Sequence, residues 1–178
     1  MLIDESIHDR VMVFIDLRNI MAGELIRRRK QEGWTPDFVR MVHHLTGDRR
    51  LVGAYVFDTL HRKEDGYLPG LSLVRALRHK GFRVNAPADE PEEVGPQKEA
   101  DVMLATQLLL QGVHGSYDTA IVVSGDRDFI PALQAVQGMG RRVEVAALKG
   151  TFSPRLLEAV DRFHLLDEVG FLQAEEGQ

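Results

Sequence analysis

The chain has no cysteine among its 178 residues. This absence excludes a disulfide scaffold, a zinc site built from thiolates and a cysteine nucleophile, and it favours a cytoplasmic location. No segment approaches the roughly 18 apolar residues of a membrane helix. The opening MLIDESIHDR carries acids where a signal peptide would have a basic and then an apolar stretch. We therefore expect neither a membrane partner nor a signal peptide.

Common nucleotide-binding motifs are missing as well. No G-x-G-x-x-G motif follows an apolar run and no G-K-[ST] phosphate loop occurs, which excludes dinucleotide-binding and P-loop proteins. The net charge of -5 argues against a protein that coats duplex nucleic acid by bulk electrostatics. Length and composition suit one globular domain. We predict that it spans residues 1–172, followed by a frayed tail over residues 173–178.

Short apolar runs alternate with helical patterns along the chain. The predicted strands lie at residues 11–16, 51–58, 82–86, 119–124 and 143–148. The predicted helices lie at residues 18–30, 36–46, 70–80, 98–111, 129–139 and 153–161. This alternation predicts an α/β fold, a three-layer α/β/α sandwich with a mainly parallel central sheet. Ligands bind such sheets at the carboxyl ends of the strands.

Acidic residues follow several of these strands. Asp16 ends the first run, Asp58 ends the second, and Ser124, Gly125 and Asp126 follow the fourth. Each acid also has a purely structural interpretation: Asp16 as the cap of the next helix, Asp126 as a turn residue.

Pro131 places the start of the following helix, since proline is tolerated only in a first turn. We predict Asp128 as the N-cap of that helix, in a supporting role, and Asp126 directed into the crevice.

Asp101 is unusual because it lies in line with an apolar helical stripe that includes Leu104 and Leu108. A carboxylate there is costly unless it pairs with a cation. Lys98 is one possible partner and a metal ion is the other. If the fold brings Asp16, Asp101 and Asp126 together, their mutual repulsion favours a divalent cation. Oxygen ligands suit Mg²⁺ or Mn²⁺, which activate water against phosphate esters.

Three segments together resemble a known family. FIDLRN, KEADVMLA and VVSGDRDFIPALQAVQGMGRRVEVAAL are similar to the motifs of the NYN domain, specifically its LabA-like (DUF88) branch, a relative of PIN-domain nucleases. The resemblance covers roughly residues 10 to 168. It implies a PIN-like Rossmannoid fold and metal-dependent ribonuclease activity. The matching acids are Asp16, Asp101, Asp126 and Asp128, and the matching supporting residues are Asn19, Ser124 and Lys98.

The chain departs from this family at charged positions. It has Arg18 before Asn19 and Glu99 before Asp101, where many members carry other residues, and Arg127 adds a positive charge between two acids.

Three functional hypotheses follow. The first is a ribonuclease acting on single-stranded RNA; the second is a non-catalytic module that binds RNA or a protein and regulates, as a possible homodimer or with a regulatory partner. The third, a phosphatase of the haloacid-dehalogenase type, is disfavoured because the D-x-D of that family is absent after Asp16.

We assign the histidines no role. We expect the acidic, proline-rich loop over residues 86–97 to be mobile and to border the site.

Overall fold

A parallel sheet forms the centre of the protein. The structure, a computed structural model, describes residues 9–89 and 99–174. The strands of the described residues are β1 (Arg10–Asp16), β2 (Trp34–Pro36), β3 (Arg50–Phe57), β4 (Leu60–His61), β5 (Arg83–Asn85), β6 (Ala88–Asp89), β7 (Thr119–Val123), β8 (Arg142–Ala147), β9 (Arg162–Leu165) and β10 (Leu172–Ala174). Six of them form the sheet in the order β5-β3-β1-β7-β8-β9, with every neighbouring pair parallel.

Helices cover both faces of this sheet. They are α1 (Leu17–Ala22), α2 (Glu24–Gln31), α3 (Phe38–Thr46), α4 (Leu71–His79), α5 (Glu99–Val113), α6 (Ile130–Gly138) and α7 (Arg155–Ala159), with single 3-10 turns at Arg127–Phe129 and Leu166–Glu168. Because side chains alternate along a strand, β1 sends Val13 and Ile15 into a core shared with α1 to α4, and Phe14 into a core shared with α5 to α7. The predicted three-layer α/β fold is confirmed.

The strand order reverses at β1. From β1 the chain moves outward to β3 and β5 on one side, then returns to form β7, β8 and β9 on the other. The carboxyl ends of β1 and β7 therefore border the crevice where α/β sheets of this kind bind ligands.

The helix predicted over residues 18–30 is wrong as a single element, because the chain breaks at Gly23 into α1 and α2. A Cβ at Gly23 would lie 2.5 Å from Leu148 Cδ1. The loop after β8 thus packs directly on this backbone. Gly23 is both the C-cap of α1 and the N-cap of α2.

Two short strand pairs flank the main sheet. β10 pairs with β2 in antiparallel fashion, which places Gln173 and Ala174, assigned to the tail by the sequence analysis, in a ladder. β6, within the segment expected to be a mobile loop, pairs with β4. Residues 90–97 and 175–178 lie outside the described residues. Of the helices in the described part of the chain, none is long and apolar enough to cross a membrane.

Candidate active site

Asp16 lies at the centre of the crevice as the last residue of β1. Its Oδ1 accepts a hydrogen bond from the Asn19 backbone N–H (3.1 Å), which makes Asp16 the N-cap of α1. Its Oδ2 accepts a hydrogen bond from the Ser124 hydroxyl (2.8 Å). The side chain is only 7% exposed. Asp16 therefore does cap α1, but only through Oδ1. Its Oδ2 contacts Ser124, the residue after β7.

Asn19 and Ser124 extend this connection. The Asn19 Oδ1 accepts a hydrogen bond from the Gly125 N–H (3.0 Å), and the Ser124 Oγ accepts one from the Asp126 N–H (3.2 Å). Since Ser124 donates to Asp16 as well, its hydroxyl has a fixed direction. These polar side chains join the start of α1 to the loop after β7.

Asp126, and not Asp128, caps the turn that leads into α6. The Asp126 Oδ1 accepts a hydrogen bond from the Asp128 N–H (2.8 Å) at the start of the 3-10 turn. The prediction of Asp128 as the N-cap of α6 is wrong, because the N-cap of α6 is Phe129, whose side chain makes no capping hydrogen bond, while Asp126 caps the preceding 3-10 turn. A 3-10 turn precedes α6, and Pro131 lies in the first turn of α6 itself, so the proline is compatible with an earlier start. Arg127 and Asp128 are exposed at the rim.

Asp101 lies in the first turn of α5, half-buried. Its negative charge, with that of Asp126, raises the pKa of Asp16. The fold thus brings Asp101 and Asp126 each into electrostatic range of Asp16. Lys98, the alternative partner of Asp101, lies outside the described residues.

Burial is the main cause of the raised pKa of Asp16. Desolvation disfavours the ionised form most strongly, the hydrogen bonds from the Asn19 backbone and the Ser124 hydroxyl favour it, and the charges of Asp101 and Asp126 disfavour it again. Carboxyl groups with such shifts in a crevice are typical of functional sites.

The donor chemistry of the crevice fits a hard divalent cation, since the polar side chains offer carboxylate, amide and hydroxyl oxygen atoms. The geometry is more open than that of a dedicated metal cage. Within residues 9–89 and 99–174, no group of three or more histidine, aspartate or glutamate side chains converges closely enough to hold a metal ion.

Gly125 allows the loop after β8 to close the bottom of the crevice. A Cβ at this position would overlap the Thr151 carbonyl group and come within 2.7 Å of Phe152 Cα. The Gly125 carbonyl in turn accepts the Ser153 N–H (3.1 Å).

A second polar group lies around Asp58, which follows β3, and the sequence analysis missed it as a unit. The Arg18 Nη2 is 2.8 Å from the His61 Nε2. Burial raises the pKa of the nearby Asp58, while the charges of Arg18 and His61 oppose that rise. The available signal was positional: Asp58 follows the end of β3, the strand next to β1, and His61, on the short strand β4, comes three residues later.

Fold and site together define an α/β sandwich of the PIN-like nuclease type, with acidic residues gathered at the carboxyl edge of its sheet. The family model of the NYN domain matches residues 10–167, and the chain belongs to this family. A crystal structure of a protein of unknown function from Vibrio parahaemolyticus RIMD 2210633 shares the fold, with a TM-score of 0.72, 21% identity, and coverage of 97% of this chain and 100% of that chain. None of the curated proteins compared with this chain matches it.

Proposed function

We propose that the protein is a LabA-like NYN ribonuclease that hydrolyses phosphodiester bonds of single-stranded RNA with Mg²⁺ or Mn²⁺. The observation that carries this proposal is the Asp16 carboxyl, buried at the point where strand order reverses and coupled to the charges of Asp101 and Asp126. A divalent cation relieves the repulsion among these acids. The absence of cysteine supports a cytoplasmic setting.

Asp16, Asp101 and Asp126 would hold the cation. Mg²⁺ in proteins is often bound by one or two carboxylates and keeps several water ligands, so the open arrangement of the site suits it. A bound Mg²⁺ or Mn²⁺ supplies a water of lowered pKa and stabilises charge on the leaving oxygen. Ser124 and Asn19 hold Asp16 and the Asp126 loop in place.

The residues at the rim have supporting roles in this proposal. Asp128 assists through water, and the exposed Arg127 attracts the phosphate backbone. Lys98, which is not among the described residues, is expected to attract the phosphate backbone as well. The acidic balance of the chain favours a single strand over a duplex.

The decisive variant is Asp126→Asn, because asparagine caps a helix nearly as well as aspartate but carries no charge. We expect Mn²⁺ to raise the melting temperature of the wild type and to raise that of the variant much less. Mn²⁺-dependent cleavage of a single-stranded oligoribonucleotide should fall at least about tenfold, or about 1.4 kcal/mol in the barrier. Asp128→Asn should have a smaller effect.

A matched control is Asp48→Asn, which removes one exposed carboxylate near the start of β3, at the opposite edge of the sheet. It should behave as the wild type. Metal-dependent cleavage that Asp126→Asn leaves unchanged would show that this site does not carry the activity.

A second function, a non-catalytic regulatory module of the same fold that binds RNA or a protein, is favoured by one observation. No three acidic or histidine side chains of the described residues converge on a metal position. A wild-type protein that neither gains thermal stability with Mn²⁺ nor cleaves RNA would identify this function instead. A second copy of the chain or a regulatory protein is the partner we expect in that case.

A further inference from the structure

The Arg18–His61 pair forms a preorganised cation beside the acidic residues. Arginine has no acceptor atom, so the 2.8 Å contact between Arg18 Nη2 and His61 Nε2 is donated by the guanidinium. The acceptor in this contact is the Nε2 atom of His61. His61 thus fixes the direction of the Arg18 side chain and leaves the guanidinium charge in place.

The pair lies one strand away from Asp16, on the side opposite Asp126. In the register of β1 and β3, Asp16 is the partner of Phe57, so Arg18 and Asp58 each follow this pair within two residues. Neighbouring strands are about 4.8 Å apart. Asp126, by contrast, follows β7, on the other side of β1. The carboxyl edge of the sheet therefore carries the exposed Arg18 guanidinium with the half-buried Asp58 carboxyl in charge range, then Asp16, then the Asp126 loop.

We propose that Arg18, oriented by His61, binds a backbone phosphate of single-stranded RNA next to the phosphate that reaches Asp16. This inference rests on the proposed function and adds a substrate-binding subsite to it. Guanidinium groups bind phosphate oxygens with paired N–H donors, and Arg18 is exposed. Arg18 is the binding group here, and His61 is a positioning residue.

Binding is to be measured apart from cleavage. The probe is a fluorescently labelled, single-stranded oligouridylate, followed by anisotropy in Ca²⁺ in place of Mn²⁺ over a range of salt concentrations. For Arg18→Gln we expect affinity to fall about tenfold, and the slope of log K against log salt to shrink by about 0.7, the value for one phosphate contact to a single strand. Arg18→Lys should keep the slope but recover only part of the affinity, since lysine lacks the paired donors.

Variants of His61 distinguish a residue that positions Arg18 from one with a purely structural role. His61→Gln offers an acceptor for the Arg18 N–H and should bind as the wild type, whereas His61→Leu should lose affinity in the same direction as Arg18→Gln. The matched control for charge is Arg50→Gln, which removes an exposed arginine at the opposite edge of the sheet. It should leave both affinity and salt slope unchanged.

The outcomes separate this inference from the nuclease proposal. An affinity and slope for Arg18→Gln equal to those of the wild type overturn the subsite, and so does a wild type that binds no single-stranded RNA. Arg18-dependent binding without any Mn²⁺-dependent cleavage supports the subsite and overturns the nuclease. Mn²⁺-dependent cleavage together with RNA binding that does not depend on Arg18 supports the nuclease and overturns the subsite.

Discussion

At the scale of single residues, Asp126 combines two roles that the sequence analysis divided between two acids. Its carboxylate caps the 3-10 turn through the Asp128 N–H, and its charge raises the pKa of Asp16. Proline at position 131 indicated a helix start but not which aspartate caps it, because a short 3-10 turn precedes α6. An aspartate that caps a turn in a crevice can therefore also be a metal ligand. Replacement by asparagine separates the two roles, because asparagine keeps the capping oxygen and removes the charge.

Gly125→Ala should be strongly destabilising. The new methyl group would meet the Thr151 carbonyl and the Phe152 backbone, and neither is the flexible end of a side chain. Overpacking of this kind costs about 1–3 kcal/mol or more. Urea unfolding at neutral pH measures the loss.

Gly138→Ala is the matched control for that substitution. No atom lies within 4 Å of the position a Cβ would take at Gly138, the last residue of α6. Alanine is favoured over glycine in a helix by about 0.5–1 kcal/mol. The two substitutions should therefore change stability in opposite directions, and equal effects would contradict the close packing at Gly125.

At the scale of elements, five strands of the main sheet were predictable, including the edge strand β5, whereas the short flanking strands were not. The run over residues 120–123 is apolar throughout because both faces of the strand are buried, and this pattern is local. The break at Gly23 was missed, although a glycine within a helical pattern is a local signal of a helix end. β2, β4, β6 and β10 have two or three residues each, too few for a periodicity.

The same distinction holds for the candidate site. Asp16 and Ser124 follow apolar runs, so the rule that parallel strands end at one edge was enough to place them together. The contact between Arg18 and His61 depends on β4 folding back beside α1, which is a tertiary arrangement. Its two members were visible in the sequence, but their pairing was not.

The packing of α5 positions Asp101, and Leu104→Ala tests it. Leu104 is completely buried one turn after Asp101, and such truncations cost about 2–5 kcal/mol. Val102→Ala is the control in the same turn, because Val102 is 61% exposed. Surface changes of this kind stay within about 0.5 kcal/mol. Equal losses of unfolding free energy in the two variants would mean that the helix does not pack on this face.

At the scale of the whole molecule, the buried acids near the two edges of the sheet have different charged neighbours. At the carboxyl edge, Asp16 lies near two further acids and its pKa is raised. Near the amino edge, Glu144 on β8 is completely buried and accepts hydrogen bonds from both Arg49 Nη atoms (2.8 and 3.2 Å). The Nε2 of His164 on β9 lies 2.8 Å from its Oε2. Paired acids stabilise a fold, whereas a buried acid among other acids points to a ligand.

The stability of the protein should therefore depend on Glu144 in acid. Burial alone would raise the pKa of Glu144, but the hydrogen bonds and charges of His164 and Arg49 outweigh it and lower the pKa to about 2. Since the folded-state pKa lies below the unfolded value of 4.5, the stabilisation is present above about pH 4.5 and is lost as the pH falls towards 2. The loss amounts to about 3 kcal/mol.

Glu144→Gln isolates this contribution, because glutamine does not titrate. The variant should be less stable than the wild type at pH 7, since Arg49 and Arg142 lose their buried anionic partner and Arg49 keeps only its longer ion pair with Asp9. The difference in unfolding free energy between the two proteins should then shrink steadily as the pH is lowered from about 4.5 towards 2. Urea unfolding of both proteins across this range measures it. A difference that stays constant across this range would mean that folding does not lower the pKa of Glu144.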